Sequence, residues 1–146
     1  MAENEQETEQ KDDWTARLVR IREKQRLAAE TERANREKAQ FWVMEKLTPT
    51  FLKLAKALEK QQGIESISTD PTPLGESLRF RVIDVIVPVF LSYSVRLDFF
   101  SQGVMGHIEL AIPGKKKYST PQSDILNWGE DEIINDFLTR FESSEV

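Results

Sequence analysis

The chain has 146 residues, a net charge of −5, 31% charged and 39% apolar side chains, and no cysteine. That length allows one ordinary domain with an appendage, and the absence of cysteine excludes disulfides, thiolate metal sites and cysteine nucleophiles. The start, Met1-Ala2-Glu3-Asn4-Glu5, lacks the apolar run of a secretory leader, and the densest apolar stretch, Val82 to Leu91, is too short to span a bilayer as a helix. A cytoplasmic protein with no membrane segment is the expectation.

The charge is segregated. Residues 1–13 hold six acids against Lys11, residues 14–63 hold twelve Lys/Arg against six Glu, and residues 64–146 hold seven Lys/Arg against thirteen acids. A basic helical section between two acidic ones is either a solvated surface or a footprint for an acidic partner.

Residues 1–12 have nothing to bury and read as a disordered acidic tail. Asp12 or Asp13 can cap a long helix that contains no Gly or Pro from Trp14 to Lys46. Trp14, Leu18 and Ile21 fall on one face of it. Extending that seam reaches Gln25, Ala28, Glu32, Asn35 and Ala39, three of which are polar. The pattern is poor for a tight zipper and predicts an exposed helical arm over 13–47. At its base Phe41, Trp42, Val43, Met44 and Leu47 restore apolarity.

An α+β domain is expected over 48–146. Thr48-Pro49 reads as a helix restart with Thr48 as cap. Phe51, Leu54, Ala55 and Leu58 form the helix's apolar stripe, and Gly63 is placed just past its C-terminus. The period then changes to two. Strands are expected at Ile64–Thr69, Leu78–Val87, Ser94–Phe100 and Val104–Ile112, with a turn at Asp70–Gly75 and a hairpin at Gln102-Gly103. The alternation slips at Ile83, Asp84 and Val85, which suggests a bulge or a strand buried on both faces. Lys115-Lys116-Lys117-Tyr118-Ser119-Thr120-Pro121 reads as a basic exposed loop. A last helix starts near Glu130 with the stripe Ile133, Ile134, Phe137, Leu138 and Phe141. The expected fold is an antiparallel meander of about four strands, packed on one face by helices 49–62 and 130–142, with a long projecting charged helix in front.

Chemistry-bearing motifs are sparse. His107 is the single histidine, without the partners a zinc site needs, and alternation puts it on the wet side of the sheet. Asp84 and Asp98 could approach each other if their strands pair, the one arrangement here suited to acid–base chemistry. Gly103 and Gly106 form G-x-x-G, but no helix follows to make a phosphate cradle. No cofactor and no metal are expected, and no enzyme.

The reading that follows is a protein-binding or adaptor protein, a homodimer or the partner of another protein. Its contacts would come from Trp14, Leu18 and Ile21 on the arm and from Phe41, Trp42 and Met44 at its base. The alternative is a nucleic-acid-associated protein using Arg17, Arg20 and Arg26 with Lys115, Lys116 and Lys117, although Glu is interleaved among the arm's arginines.

Overall fold

A computed structural model describes the backbone of residues 2–115, 119–144 and 146, and the side chains of these from Asp13 onward. The fold is α+β. Helix α1 (Ala2–Trp42) runs through a π-helical turn (Val43–Leu47) into α2 (Thr48–Glu59). Five strands follow: β1 (Ile64–Thr72), β2 (Gly75–Val82), β3 (Val89–Phe100), β4 (Gly103–Ala111) and β5 (Thr120–Gln122). A short 3-10 turn (Ile125–Asn127) leads into α3 (Glu130–Ser143). The strands form one open antiparallel meander in the order β1-β2-β3-β4-β5. The expected 1–12 tail lies outside the residues whose side chains are described.

Alternation decides which face is covered. Leu78, Phe80 and Val82 on β2 register with Tyr93, Leu91 and Val89 on β3, and Val95 registers with Ile108 on β4. Those residues meet α2 and α3. Phe51 stacks on Tyr93 with ring centroids 5.4 Å apart, and Phe137 sets its edge against both Tyr93 and Phe80. The opposite face carries Ser77, Arg79, Ser94, Arg96, His107 and Glu109, and among the described residues no helix packs over it. Half-covered antiparallel sheets are stable because only one face needs to be apolar.

The helix does not restart at Thr48-Pro49. It continues through a π turn, closed by the Thr48 amide donating to the Val43 carbonyl. The cause is Pro49, which has no N–H and whose ring crowds the carbonyl four residues back; widening the turn relieves this without breaking the helix. Thr48 is therefore not a side-chain cap. Its hydroxyl donates to Glu76 at 3.0 Å instead. Gly63 likewise lies beyond the helix end at Lys60; it takes φ +81° in the turn into β1, where a Cβ would collide with the Asp84 carboxyl.

Several strand boundaries differ from expectation: β2 spans 75–82 rather than the expected 78–87, and β3 starts at Val89 rather than at Ser94. β1 runs on through Pro71 to Thr72, so the hairpin turn shrinks to Pro73-Leu74. The bulge lies in β1, between Glu65 and Ser68, with Ser66 at φ 56°. Residues 83–88 are irregular, because Asp84 and Pro88 interrupt the ladder there. The fifth strand, β5, occupies the end of the expected basic loop; Pro121 fits it because β5 is an edge.

Gly106 has a packing reason. A Cβ there would sit 2.7 Å from Cγ1 of Ile125, the buried residue of the 3-10 turn. Gly106→Ala is expected to destabilise the fold by roughly 1–3 kcal/mol, as overpacking does, and to lower the urea midpoint with an unchanged slope. An unaltered midpoint would show that the turn yields without cost.

Candidate interaction surface

The arm projects because its own domain covers only its last turns. Asn35 and Ala39 are buried, and Asn35 Nδ2 donates to the Phe100 carbonyl at the β3–β4 turn, 2.7 Å away. The Arg36 guanidinium lies 6.0 Å from the centroid of the Phe99 ring. Ahead of that point Trp14 is 62% exposed, and Leu18, Val19, Ile21 and Leu27 are exposed as well. At 3.6 residues per turn, Trp14, Leu18, Ile21 and Ala28 lie on the same side of α1 as Asn35 and Ala39. From Trp14 onward one stripe therefore runs along the helix, docked at its end and largely bare before it.

The aromatic cluster at the base divides. Phe41 and Met44 are exposed. Trp42 is not a surface residue: it is 5% exposed, packed in the core, with its indole N–H donating to the Trp128 carbonyl at 2.9 Å. Met44 lines an open cavity of about 300 Å³ with Gln40, Val43, Thr48, Thr72 and Pro73.

A second apolar patch escaped the sequence reading. Ile86 is fully exposed and Val87 and Phe90 largely so, although this is the densest apolar stretch of the chain. Arg81 lies over the Phe90 ring at 5.3 Å. Since Val82 registers with Val89 and Phe100 with Gly103, this loop sits at the end of the sheet opposite the arm's docking point.

The arm's arginines do not converge. Arg17 and Arg20 are neighbours on one side of the helix and Arg26 lies on the other, where it is engaged by Glu23 and, at 2.9 Å, by Glu30. These two partners raise its already high pKa, the Glu23 hydrogen bond most. Lys115 Nζ donates to the Ser144 carbonyl at 3.3 Å; Lys116 and Lys117 lie outside the described residues.

The two aspartates do not meet. The strand register places Asp84 beyond the Val82 end of β2 and Asp98 beyond the Gly75 end, so they lie toward opposite ends of the sheet. Asp98 instead accepts from His107 at 2.8 Å, with Arg96 at 3.9 Å. Beside this pair Thr72, Ser77, Ser94, Arg96, His107 and Glu109 line a shallow cavity of about 290 Å³ on the open face. Among the described residues no serine bonds the imidazole, and no group of three or more His, Asp or Glu is placed to hold a metal ion. No helix among them is long and apolar enough to cross a membrane.

Two polar groups inside the fold tie its layers. The Tyr93 hydroxyl donates to Asp136 at 2.7 Å, and Arg140 donates to the same oxygen at 2.9 Å. Burial first, then the Asp136 charge, pushes the Tyr93 pKa far up, so the phenol stays a donor. Glu76 is 3% exposed on the core face of β2. Two positions before Leu78 on an alternating strand, it belongs to the apolar face, a signal legible in the sequence.

Comparison with protein-family models, with curated proteins and with solved structures finds no match to this chain.

Burial raises the Glu76 pKa above its ordinary 4.5, opposed by the Thr48 hydrogen bond and helped by Asp70. The folded state then holds the proton more tightly than the unfolded chain. Its contribution to stability is favourable at low pH and declines as pH rises from the ordinary glutamate range through the folded pKa. Glu76→Gln keeps the acceptor for Thr48 and cannot ionise. Urea titrations at acid and neutral pH are expected to show a smaller pH dependence and a higher neutral midpoint in the variant. A variant less stable than the parent at neutral pH would contradict this account.

Proposed function

We propose that this chain is a non-enzymatic interaction protein that self-associates through its helical arm. One observation supports the reading above the others: the arm's bare stripe, Trp14, Leu18 and Ile21, continues the face that the domain itself covers at Asn35 and Ala39. A helix of this composition is marginal alone in water, and an apolar stripe with no intramolecular cover gains from a partner. Large aromatics such as Trp14 are frequent interface anchors. Phe41 and Met44 extend the available surface at the arm's base; Trp42 does not take part, because the core already holds it.

Nucleic-acid contact through Arg17, Arg20 and Arg26 has less support. The three do not share a face, and Arg26 is occupied by Glu23 and Glu30. Phosphate binding of that kind would weaken steeply with salt.

The test is light scattering and sedimentation of the full chain over a concentration series, against Leu18→Asp combined with Ile21→Asp. Both positions are exposed in the single chain, so the monomer's unfolding free energy is expected to change by less than about 0.5 kcal/mol. The parent is expected to gain mass with concentration and the variant to remain a monomer. A parent of constant monomer mass would defeat the proposal. A gel shift with mixed DNA and RNA that vanishes at raised salt would favour the nucleic-acid reading instead.

A further inference from the structure

We infer that the arm pairs with the arm of a second copy in antiparallel orientation, with Leu18 of each helix packed against Ile21 of the other. This rests on self-association through the arm and adds to it the direction of pairing. Two independent observations point the same way.

The first is steric. The stripe that would pair is the stripe on which the β3–β4 hairpin sits, with Asn35 bonded to the Phe100 carbonyl. In a parallel pair both hairpins would enter the space between the helices at the same level. In an antiparallel pair the two domains stand at opposite ends, and each arm lies along bare stripe up to the other's hairpin. The part of α1 ahead of Asn35, which starts at Ala2, is centred near Leu18. A two-fold axis there lets the whole length pair, and a two-fold contact is closed and self-complementary.

The second is charge. The first thirteen residues hold six acids and one lysine, while residues 26–38 hold four Lys/Arg and three Glu. With Leu18 opposite Ile21, positions 1–13 of one chain face 26–38 of the other, so the acidic segment meets one of mixed charge, in which Glu3 and Asp13 face Arg36 and Arg26 while Glu7 and Glu9 face Glu32 and Glu30. A parallel pair sets the six acids beside their own copies. Like charges at that spacing oppose association, and exposed charges govern orientation more than affinity. Reversal moves each copy's acidic start away from the other's and onto a segment of net charge +1, so two copies of this chain suit each other antiparallel and not parallel.

The chain has no cysteine, so single replacements report proximity cleanly. In the antiparallel pair Trp14 faces Gln25, and each of these lies about 16 Å along the axis from its own copy, eleven residues at about 1.5 Å each. A disulfide needs Cα atoms within about 7 Å. Under mild oxidation, Gln25→Cys alone and Ala28→Cys alone are expected to give no cross-linked dimer. An equimolar mixture of Gln25→Cys with Trp14→Cys is expected to give one containing a copy of each. Cross-linking of Gln25→Cys or Ala28→Cys alone, or a dimer by light scattering whose mixture fails to cross-link, overturns the antiparallel pairing and leaves self-association standing. A chain that scatters as a monomer at every concentration overturns both.

Discussion

The direction of the arm is fixed where Asn35 and Trp42 leave α1 and enter the domain. Asn35 donates to a main-chain carbonyl at the β3–β4 turn, and Trp42 donates to the carbonyl of Trp128 just ahead of α3. Each is a buried polar group that would be costly without its partner, so the pair specifies one orientation of the helix against the sheet. No Gly or Pro lies between Trp14 and Thr48, so the helix has no built-in hinge between these anchors and the bare stripe. The stripe's exposure is thus a property of the folded state.

The same helix has two solvents. From Asn35 onward it is one layer of the core, continuous through the π turn at Val43–Leu47 with α2, which packs on the sheet. From Asp13 to Ala34 its side chains stay largely exposed. Pro49 contributes to the transition, since the widened turn that accommodates it shifts the helical register by about one residue. The buried stripe can then move from Ala39, Trp42 and Val43 to Phe51, Leu54 and Leu58 without a break in the rod. The exposed apolar loop around Ile86 lies at the far end of the sheet, so an assembly built on the arm leaves that patch accessible.

Much of the domain was legible because its elements keep strict periods. The stripes of α2 and α3 and the alternation of β3 and β4 place most of their apolar residues on the covered face, although Leu138, expected in the α3 stripe, is exposed. What was hidden depends on contacts distant in sequence. Asn35 reads as a polar fault in a heptad; only the hairpin carbonyl sixty-five residues later makes it a docking residue. Trp42 looked like an anchor for a partner, and its partner is the carbonyl of Trp128. Residues 83–88 are apolar enough for a core strand, yet Asp84 and Pro88 deny them a ladder and turn them outward. β5 is three residues with a proline in the middle, below what alternation can reveal.

The polar positions of the stripe also limit what the arm can do. Gln25, Glu32 and Asn35 stand where a long zipper would hold branched aliphatics, so the proposed pairing would gain apolar burial over only the central layers formed by Trp14, Leu18 and Ile21. Such a pairing, with few apolar layers, would have modest affinity and would respond to concentration. With hydrophobic burial small, the surrounding charges have a larger relative part in choosing register and direction. They are solvent-exposed, hence screened within about 10 Å at 0.1 M salt. An interface of this kind is tuned by ionic strength without any change in the fold of the domain that displays it.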